Sequence, residues 1–325
     1  MIIFLQNRAH AYTHKPLVGL PDLPKIRVRS YDWALRRKRL PSAVYVFTDR
    51  ERMDPWELRV LGGLFRHINA QGDGCLALND PAAVLARRAL LRTLAVEGIN
   101  SFNAYAVSER QWPRRYPVFI RREYDHRRPL TGLIETSDEL KQAIEQLKSD
   151  GEPEEGLLIT EYCAQPVASD LFRKLSAYRV GESLFFYNCV HEASWLVKYG
   201  TVNAATEALY QEEQQMIESN AYGAELAKVF TLAGIDYGRV DFGLVDGRIA
   251  VYEINTNPSI KPPSDHPNET RRASMRAGWQ KYCDALRRLD EQITAPRSMQ
   301  MFDHPMLHRG LSPVPGYSRS RIVRP

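Results

Sequence analysis

The stretch Arg239–Ile260, RVDFGLVDGRIAVYEINTNPSI, sets Asp241, Glu253 and Asn255 into what otherwise reads as two apolar strands. Strand side chains alternate between the two faces of a sheet. One face collects Val240, Phe242 and Leu244 with Ala250, Tyr252 and Ile254. The other carries Arg239, Asp241, Gly243, Glu253 and Asn255. For this sorting to hold across an antiparallel pair, paired residue numbers must sum to an even value. A two-residue Asp246-Gly247 turn would pair Val245 with Arg248, an odd sum that separates Asp241 from Glu253. The expectation is therefore a three-residue loop, Val245-Asp246-Gly247, with Gly247 in the left-handed conformation of a bulge. Neighbouring carboxylates repel, so a cation is their natural partner, and hard oxygen donors suit Mg²⁺ held beside phosphates. From alternation alone, a solvated polar face on an edge hairpin stays open as the alternative. The Glu-x-Asn-x-Asn-Pro ending, which interrupts a strand with amides, favours a site.

Outside this hairpin, the 325 residues suffice for roughly two domains, and 44% hydrophobic with 26% charged residues is ordinary globular composition. A net charge of +5 is too mild to mark a nucleic-acid-binding protein and suits a phosphate-bearing ligand. No apolar run approaches the roughly 18–20 residues of a membrane span. MIIFLQN is too short for a signal-peptide core and reads as a first strand, so a cytoplasmic protein is expected. The four cysteines are far apart, consistent with reduced thiols, and the histidines lack zinc-ligand spacing.

Strands are expected at MIIFLQ, AVYVF, YPVFI and EGLLITEYC, with a hairpin in LSAYRVGESLFFYNCV turning at Gly181-Glu182. Helices are expected near DPWELRVLGGLFRHINAQG, and over residues 81–97 with Asp80 as cap and Gly98 as stop. Further helices are expected in TSDELKQAIEQLKSDG, over 204–233 with a break at SNAYG, and over 268–292. The tail from 296 to 325 is rich in Pro, Ser and Arg and is expected to be irregular.

From about Leu78 to Pro258 the sequence resembles the ATP-grasp superfamily, most specifically in Asp241 followed by Glu253-Ile254-Asn255-Thr256-Asn257-Pro258. The resemblance is to carboxylate–amine ligases of the glutathione synthetase, ribosomal-protein glutamate ligase and D-alanine–D-alanine ligase kind. It implies an α/β (α+β) fold: an N-terminal α/β pre-ATP-grasp domain at 1–80, then an ATP-grasp domain at 81–295. The latter would comprise two α+β subdomains, about 100–162 and 163–295, clasping ATP. The cofactors implied are ATP and Mg²⁺, with Mn²⁺ as a substitute, and the metal ligands are Asp241, Glu253 and Asn255.

Two family lysines that reach the phosphates fall here on Arg87 and Arg121, and arginine keeps the charge and grips phosphate with a planar fork. The backbone of Glu161, Tyr162 and Cys163 would bond the base, and Asp170 is a candidate for the ribose. His126, with Arg127 and Arg128, replaces the usual glycine-rich phosphate loop. Lys198 falls where the family carries a basic residue near the transferred phosphate. Arg239 is either an ion-pair partner of the carboxylates or an anion clamp stabilising the acylphosphate, and Trp195 reads as a packing residue.

The implied activity is an ADP-forming acid–amino-acid ligase acting on a small-molecule or peptide carboxylate and an amine, with no nucleic acid or membrane partner. Dimers are common in the family, so a homodimer is the corresponding expectation. An ATP-grasp kinase acting on a hydroxyl, or a nucleotide-binding protein without turnover, are the rival readings. The substrate is not legible. The segment SYDWALRRKRLPSAVYVFTDRERMDPWE is expected at a substrate-side wall or a seam between domains.

Overall fold

The computed structural model describes residues 1–37, 39–294 and the backbone of 299–301. Its first seven regular elements are β1 (Ile2–Gln6), β2 (Ile26–Ser30), α1 (Tyr31–Leu35), β3 (Arg39–Pro41), β4 (Ala43–Phe47), α2 (Pro55–Asn69) and β5 (Cys75–Leu78). Four of the strands form a parallel sheet in the order β2-β1-β4-β5. Every position of β1 and β4 is buried, which explains why β4, and β1 as far as Leu5, are continuous apolar runs and do not alternate. On α2, Val60, Leu61, Leu64 and Ile68 pack one face of this sheet, and an Asp54–Glu57 capping box starts the helix.

The middle of the chain supplies α3 (Arg87–Val96), β6 (Ala104–Ala106), β7 (Val118–Arg122), α4 (Ser137–Ser149) and β8 (Leu157–Glu161). The strands pair antiparallel in the order β6-β8-β7. On α4, capped by Thr136, residues Leu140, Ile144 and Leu147 pack against Val118, Ile120 and Ile159. The helix expected over 81–97 begins six residues late. Asp80 does act as a cap, but of a single turn, accepting from Ala82 N–H. The Leu85 amide then donates to the Ala233 carbonyl, which removes that segment from any helical ladder.

The remaining elements are β9 (Pro166–Ala168), β10 (Leu171–Val180), β11 (Ser183–Glu192), α5 (Glu207–Ser219), α6 (Gly223–Ala233), β12 (Tyr237–Val245), β13 (Arg248–Asn255), α7 (Glu269–Glu291) and β14 (Met299–Met301). An antiparallel sheet runs β11-β10-β12-β13, with β9 added beside β10. The β10–β11 hairpin turns at Gly181-Glu182 as expected, with Gly181 at φ 58°. Helices α5 and α6 cover one face of this sheet through Ile217, Leu226, Val229 and Phe230. Helix α7 brings Tyr282 and Leu286 between this sheet and the free face of the parallel one, packing on Tyr178, Tyr237, Phe4 and Val44. The expected irregular tail is interrupted by β14, which pairs with β3. Residues 302–325 lie outside the described part.

The decisive hairpin is β12–β13, and here the structure corrects the loop. Val245 pairs with Arg248, so the turn is the two-residue Asp246-Gly247, both left-handed at φ 51° and 77°. This is the twist-matched tight turn that an Asp-Gly pair favours. The ladder nevertheless changes register between Asp241 and Phe242, so Phe242 faces Val251 while Asp241 faces Glu253. A bulge at Tyr252 therefore supplies the residue that the sequence reading had put in the loop. The two carboxylate positions meet as expected. The apolar face differs: Ile249 and Val251 join Val240 and Phe242 in the core, while Ala250 and Tyr252 lie on the opposite side with Phe102 and Leu158.

Candidate functional site

Side chains of β10, β12 and β13 meet on the Asp241 face of β12. Asp241, 2% exposed, is held by four donors. Arg239 Nε and Nη2 reach its two oxygens at 2.7 and 3.0 Å, Ser176 Oγ donates at 3.0 Å, and Lys174 Nζ stands 3.3 Å away. Ser176 is the cross-strand partner of Asp241 on β10, and Lys174 lies two residues further along the same face. Burial alone would raise the Asp241 pKa, but Arg239 and Lys174 outweigh it and hold the group ionised below its usual range. Arg239, expected as a catalytic anion clamp ahead of an ion-pair partner, is bound in this structure as the ion-pair partner of Asp241.

Glu253 is gripped from the other side. Arg87 donates to its Oε2, with Arg121 Nη2 at 3.7 Å and His126 Nδ1 at 3.6 Å from the same oxygen. No hydrogen bond to Oε1 occurs among the described residues. Burial opposes ionisation of Glu253, yet Arg87 and His126 hold its pKa well below the carboxylate range. His126 bridges onward, with Nε2 2.9 Å from Glu51 in the turn after β4. Burial pulls the His126 pKa down, and the two carboxylates overcome this and hold it up at about 9, so the imidazole is a cation at neutral pH. Glu51 is correspondingly lowered to about 2, burial being outweighed by His126.

The sequence expectation for Arg87 as a phosphate contact meets a buried side chain that is already occupied. Its Nη1 donates to the carbonyls of Glu123 at 2.9 Å and Asp125 at 2.7 Å, tying the loop after β7 to α3. Arg121, by contrast, lines the open cleft beside this cluster, and burial together with Arg87 lowers its pKa to about 10, which leaves it charged. The cleft is also lined by His126, Glu161, Tyr162, Cys163, Lys198, Asp241 and Glu253 of the residues singled out from sequence. Arg87, Asp170, Arg239 and Asn255 do not line it; Asp170 is exposed in the turn between β9 and β10.

At the expected base-binding segment, the Glu161 amide donates to Asn103 and the Tyr162 amide to Pro117. The Glu161 carboxylate faces away, accepting from Asn103 N, Tyr105 Oη, Arg114 N and Arg115 N. It therefore fixes the strand end and does not offer itself to a ligand. Trp195 both packs and lines the cleft, its ring 5.1 Å from Phe119 and 5.7 Å from Tyr162. The loop carrying Trp195 and Lys198 is pinned by Glu192, whose Oε1 accepts from the amides of Lys198, Tyr199 and Gly200.

The cleft thus has two chemical characters. Leu91, Phe102, Phe119, Tyr162, Trp195 and Tyr252 give apolar and aromatic lining suited to a flat heterocycle. Seven cationic side chains, Arg121, His126, Arg127, Arg128, Arg173, Lys174 and Lys198, stand against three carboxylates, Glu161, Asp241 and Glu253. Glu161 is spent on its own donors and Arg173 on Glu212 at 2.6 Å, so a net positive field remains for a polyanion.

The donor set also fits a hard cation. Asp241 in the middle of β12 faces Glu253 on β13, and Asn255, opposite Arg239, ends β13 with its Oδ1 accepting from the Asn257 amide at 2.8 Å. Both carboxylates are oriented by buried hydrogen-bond partners, as ligating carboxylates usually are. Among the described residues no cluster of three or more His, Cys, Asp or Glu is spaced to hold a metal, so the fit rests on two carboxylates and an amide.

Sequence reasoning missed Lys174, Ser176 and Glu51. The first two alternate along β10 and could have been flagged as a polar pair within an apolar hairpin. Which strand they would face was not readable. Glu51 belongs to the segment expected at a wall or seam, and its carboxylate meets His126 of the loop after β7. Beside it Asp49 accepts from Asn257 Nδ2 at 2.7 Å, and Thr13 Oγ1 donates to Asn257 Oδ1 at 2.6 Å.

No family model matches the chain, and no curated protein matches it. Among the described residues no helix is long and apolar enough to cross a membrane. Solved structures do resemble it. The D-alanine–D-alanine ligase from Bacillus anthracis complexed with ATP is 12% identical, over 90% of this chain and 99% of that one, with a TM-score of 0.49. A second crystal structure of the same ligase is 11% identical over the same shares, also at 0.49. The D-alanine–D-alanine ligase from Coxiella burnetii is 14% identical over 77% of this chain and 71% of that one, at 0.43. Likeness of this degree does not by itself assign the chain to a family.

Proposed function

We propose that the chain is an ATP- and Mg²⁺-dependent ligase that activates a carboxylate as an acylphosphate for attack by an amine. The observation that carries this reading is the bulged register that sets Asp241 opposite Glu253 on the wall of a cleft with surplus cations. Asp241, Glu253 and Asn255 would hold Mg²⁺. When bound, the metal would neutralise charge on the terminal phosphates.

Arg121, Lys174 and Lys198 would contact phosphate oxygens, where preorganised charge lowers the cost of the anion that develops during transfer. Phe119, Tyr162, Trp195 and Tyr252 would exclude water around the base. Arg239, locked to Asp241, would keep that carboxylate ionised and aimed. Arg87 would hold Glu253 and the loop after β7 in place, a positioning role. The domain division at about residues 80 and 162 belongs to the same proposal, with the nucleotide between the second and third sheets.

The test is phosphate release from MgATP with paired carboxylate and amine libraries. Turnover that needs both partners is expected, with Asp241→Asn and Glu253→Gln each lowering it at least about 100-fold. Full Mg²⁺-dependent turnover by either variant removes the metal assignment. A stable phosphorylated product that needs no amine would make the protein a kinase instead.

A further inference from the structure

A second cleft adjoins the first and shares Lys174 and Lys198 with it. Lys174, Lys198, Arg239, Lys261 and Arg271 line this cleft, and among the described residues no carboxylate does. The balance of charge is uneven once partners are assigned. Arg271 is neutralised by buried Glu213, and Arg239 with Lys174 share the single carboxylate of Asp241. Lys198 and Lys261 have no carboxylate partner among the described residues, Lys198 lying over the Tyr199 ring at 5.6 Å.

Lys261 is also not an arbitrary surface lysine. It follows Ile260, which is 2% exposed and whose amide donates to the Thr13 carbonyl, and it precedes Pro262 and Pro263. Its backbone is therefore held from both sides. One carboxylate placed where the two clefts meet, at Lys174 and Lys198, would leave the charge of Lys261 unanswered. A second carboxylate would answer it.

We infer that the second cleft binds a small carboxylic acid that carries a second carboxylate, the inference resting on the acylphosphate reading above. The carboxylate at the junction is the one activated: its oxygen bonds to the γ-phosphorus while the bond to the bridging oxygen of ADP breaks. The amine nitrogen then bonds to the acyl carbon as phosphate leaves, and the amine proton passes to solvent. The other carboxylate stays unreacted against Lys261 and sets specificity.

Hydroxylamine as a general nucleophile makes this measurable, because an acylphosphate gives a hydroxamate. Succinate, glutarate, aspartate and glutamate are compared with their monoamides in the presence of MgATP, and nucleotide binding is measured separately by calorimetry. The dicarboxylates are expected to exceed the monoamides by about tenfold or more in kcat/KM, the worth of one charged hydrogen bond. Lys261→Gln is expected to abolish that ratio by raising KM for dicarboxylates, with kcat within about twofold and MgATP affinity unchanged. Equal rates for both classes, or an unchanged ratio in Lys261→Gln, would overturn the dicarboxylate inference alone. No hydroxamate from any acid with MgATP bound would overturn the acylphosphate reading as well. Absence of MgATP binding would overturn the acylphosphate reading and this inference with it.

Discussion

Gly243→Ala tests the feature on which the site depends. Gly243 lies on the Asp241 face of β12, opposite Ala250 and under the ring of the bulged Tyr252. A β-carbon added there would fall on the Tyr252 hydroxyl, 2.9 Å from Cζ and 3.3 Å from Cε2. Carbon atoms in favourable contact sit about 3.5–4.0 Å apart, so the ring must move by something on the order of 1 Å. It cannot do so freely, because Phe102, Leu91 and Leu158 pack around it. Overpacking of this kind costs about 1–3 kcal/mol, which corresponds to about 2–4 °C in Tm for each kcal/mol in a domain of roughly 150–250 residues.

Thermal unfolding of Gly243→Ala, Tyr252→Leu and the double variant closes a cycle. The alanine is expected to destabilise the otherwise unchanged protein and to be nearly neutral beside Tyr252→Leu. MgATP affinity should fall in the single variant as well, because the displaced ring borders the nucleotide cleft. An equal cost of the alanine in both backgrounds would show that the ring does not fill the space over Gly243. The bulge, and with it the facing of Asp241 and Glu253, would then be misplaced.

Two further outcomes concern the cations around Glu253. Arg87→Met should destabilise the nucleotide-free protein by about 3–5 kcal/mol in chemical unfolding, since it leaves Glu253 and two loop carbonyls without their donor. A large loss of nucleotide affinity with no loss of stability would instead make Arg87 a ligand contact. The pH dependence of stability should differ between the wild type and His126→Gln. The folded His126 pKa, about 9, lies above its unfolded value of about 6.5. The stabilisation from His126 is therefore full below about pH 6.5 and lost as pH rises through about 9. Denaturation midpoints measured from pH 6 to 10 without nucleotide should converge at the alkaline end. A constant gap across that range would mean that His126 is not a paired cation.

What could be read from the sequence was local. The apolar runs of β1 and β4, the helices that begin near Asp54, Thr136 and Asn268, and the turn at Gly181 are set by neighbours within a few residues. Parity across the two strands, with one extra residue somewhere in the hairpin, was enough to place Asp241 and Glu253 on one wall. Parity could not say where the extra residue sits, because a bulge anywhere along the ladder restores the same count. The Asp-Gly pair favours a two-residue turn on its own, and the compensation went to Tyr252. There a ring fits between Gly243 of β12 and Phe102 of the loop before β6, contacts contributed by other parts of the chain.

The same limit explains the helix that starts at Arg87. Its expected first turns are diverted because Leu85 finds the carbonyl of Ala233, far away in the chain. Sequence by itself therefore determined the local strand and helix periods, the Gly181 turn and the two opposed carboxylates. Only the tertiary structure decided which charges surround them, bringing Lys174 from β10 and Arg87 from α3, and setting Glu51 from the turn after β4 against His126. Charge acts through space across chain separations that no spacing rule spans, and burial made those cations partners of Asp241 and Glu253.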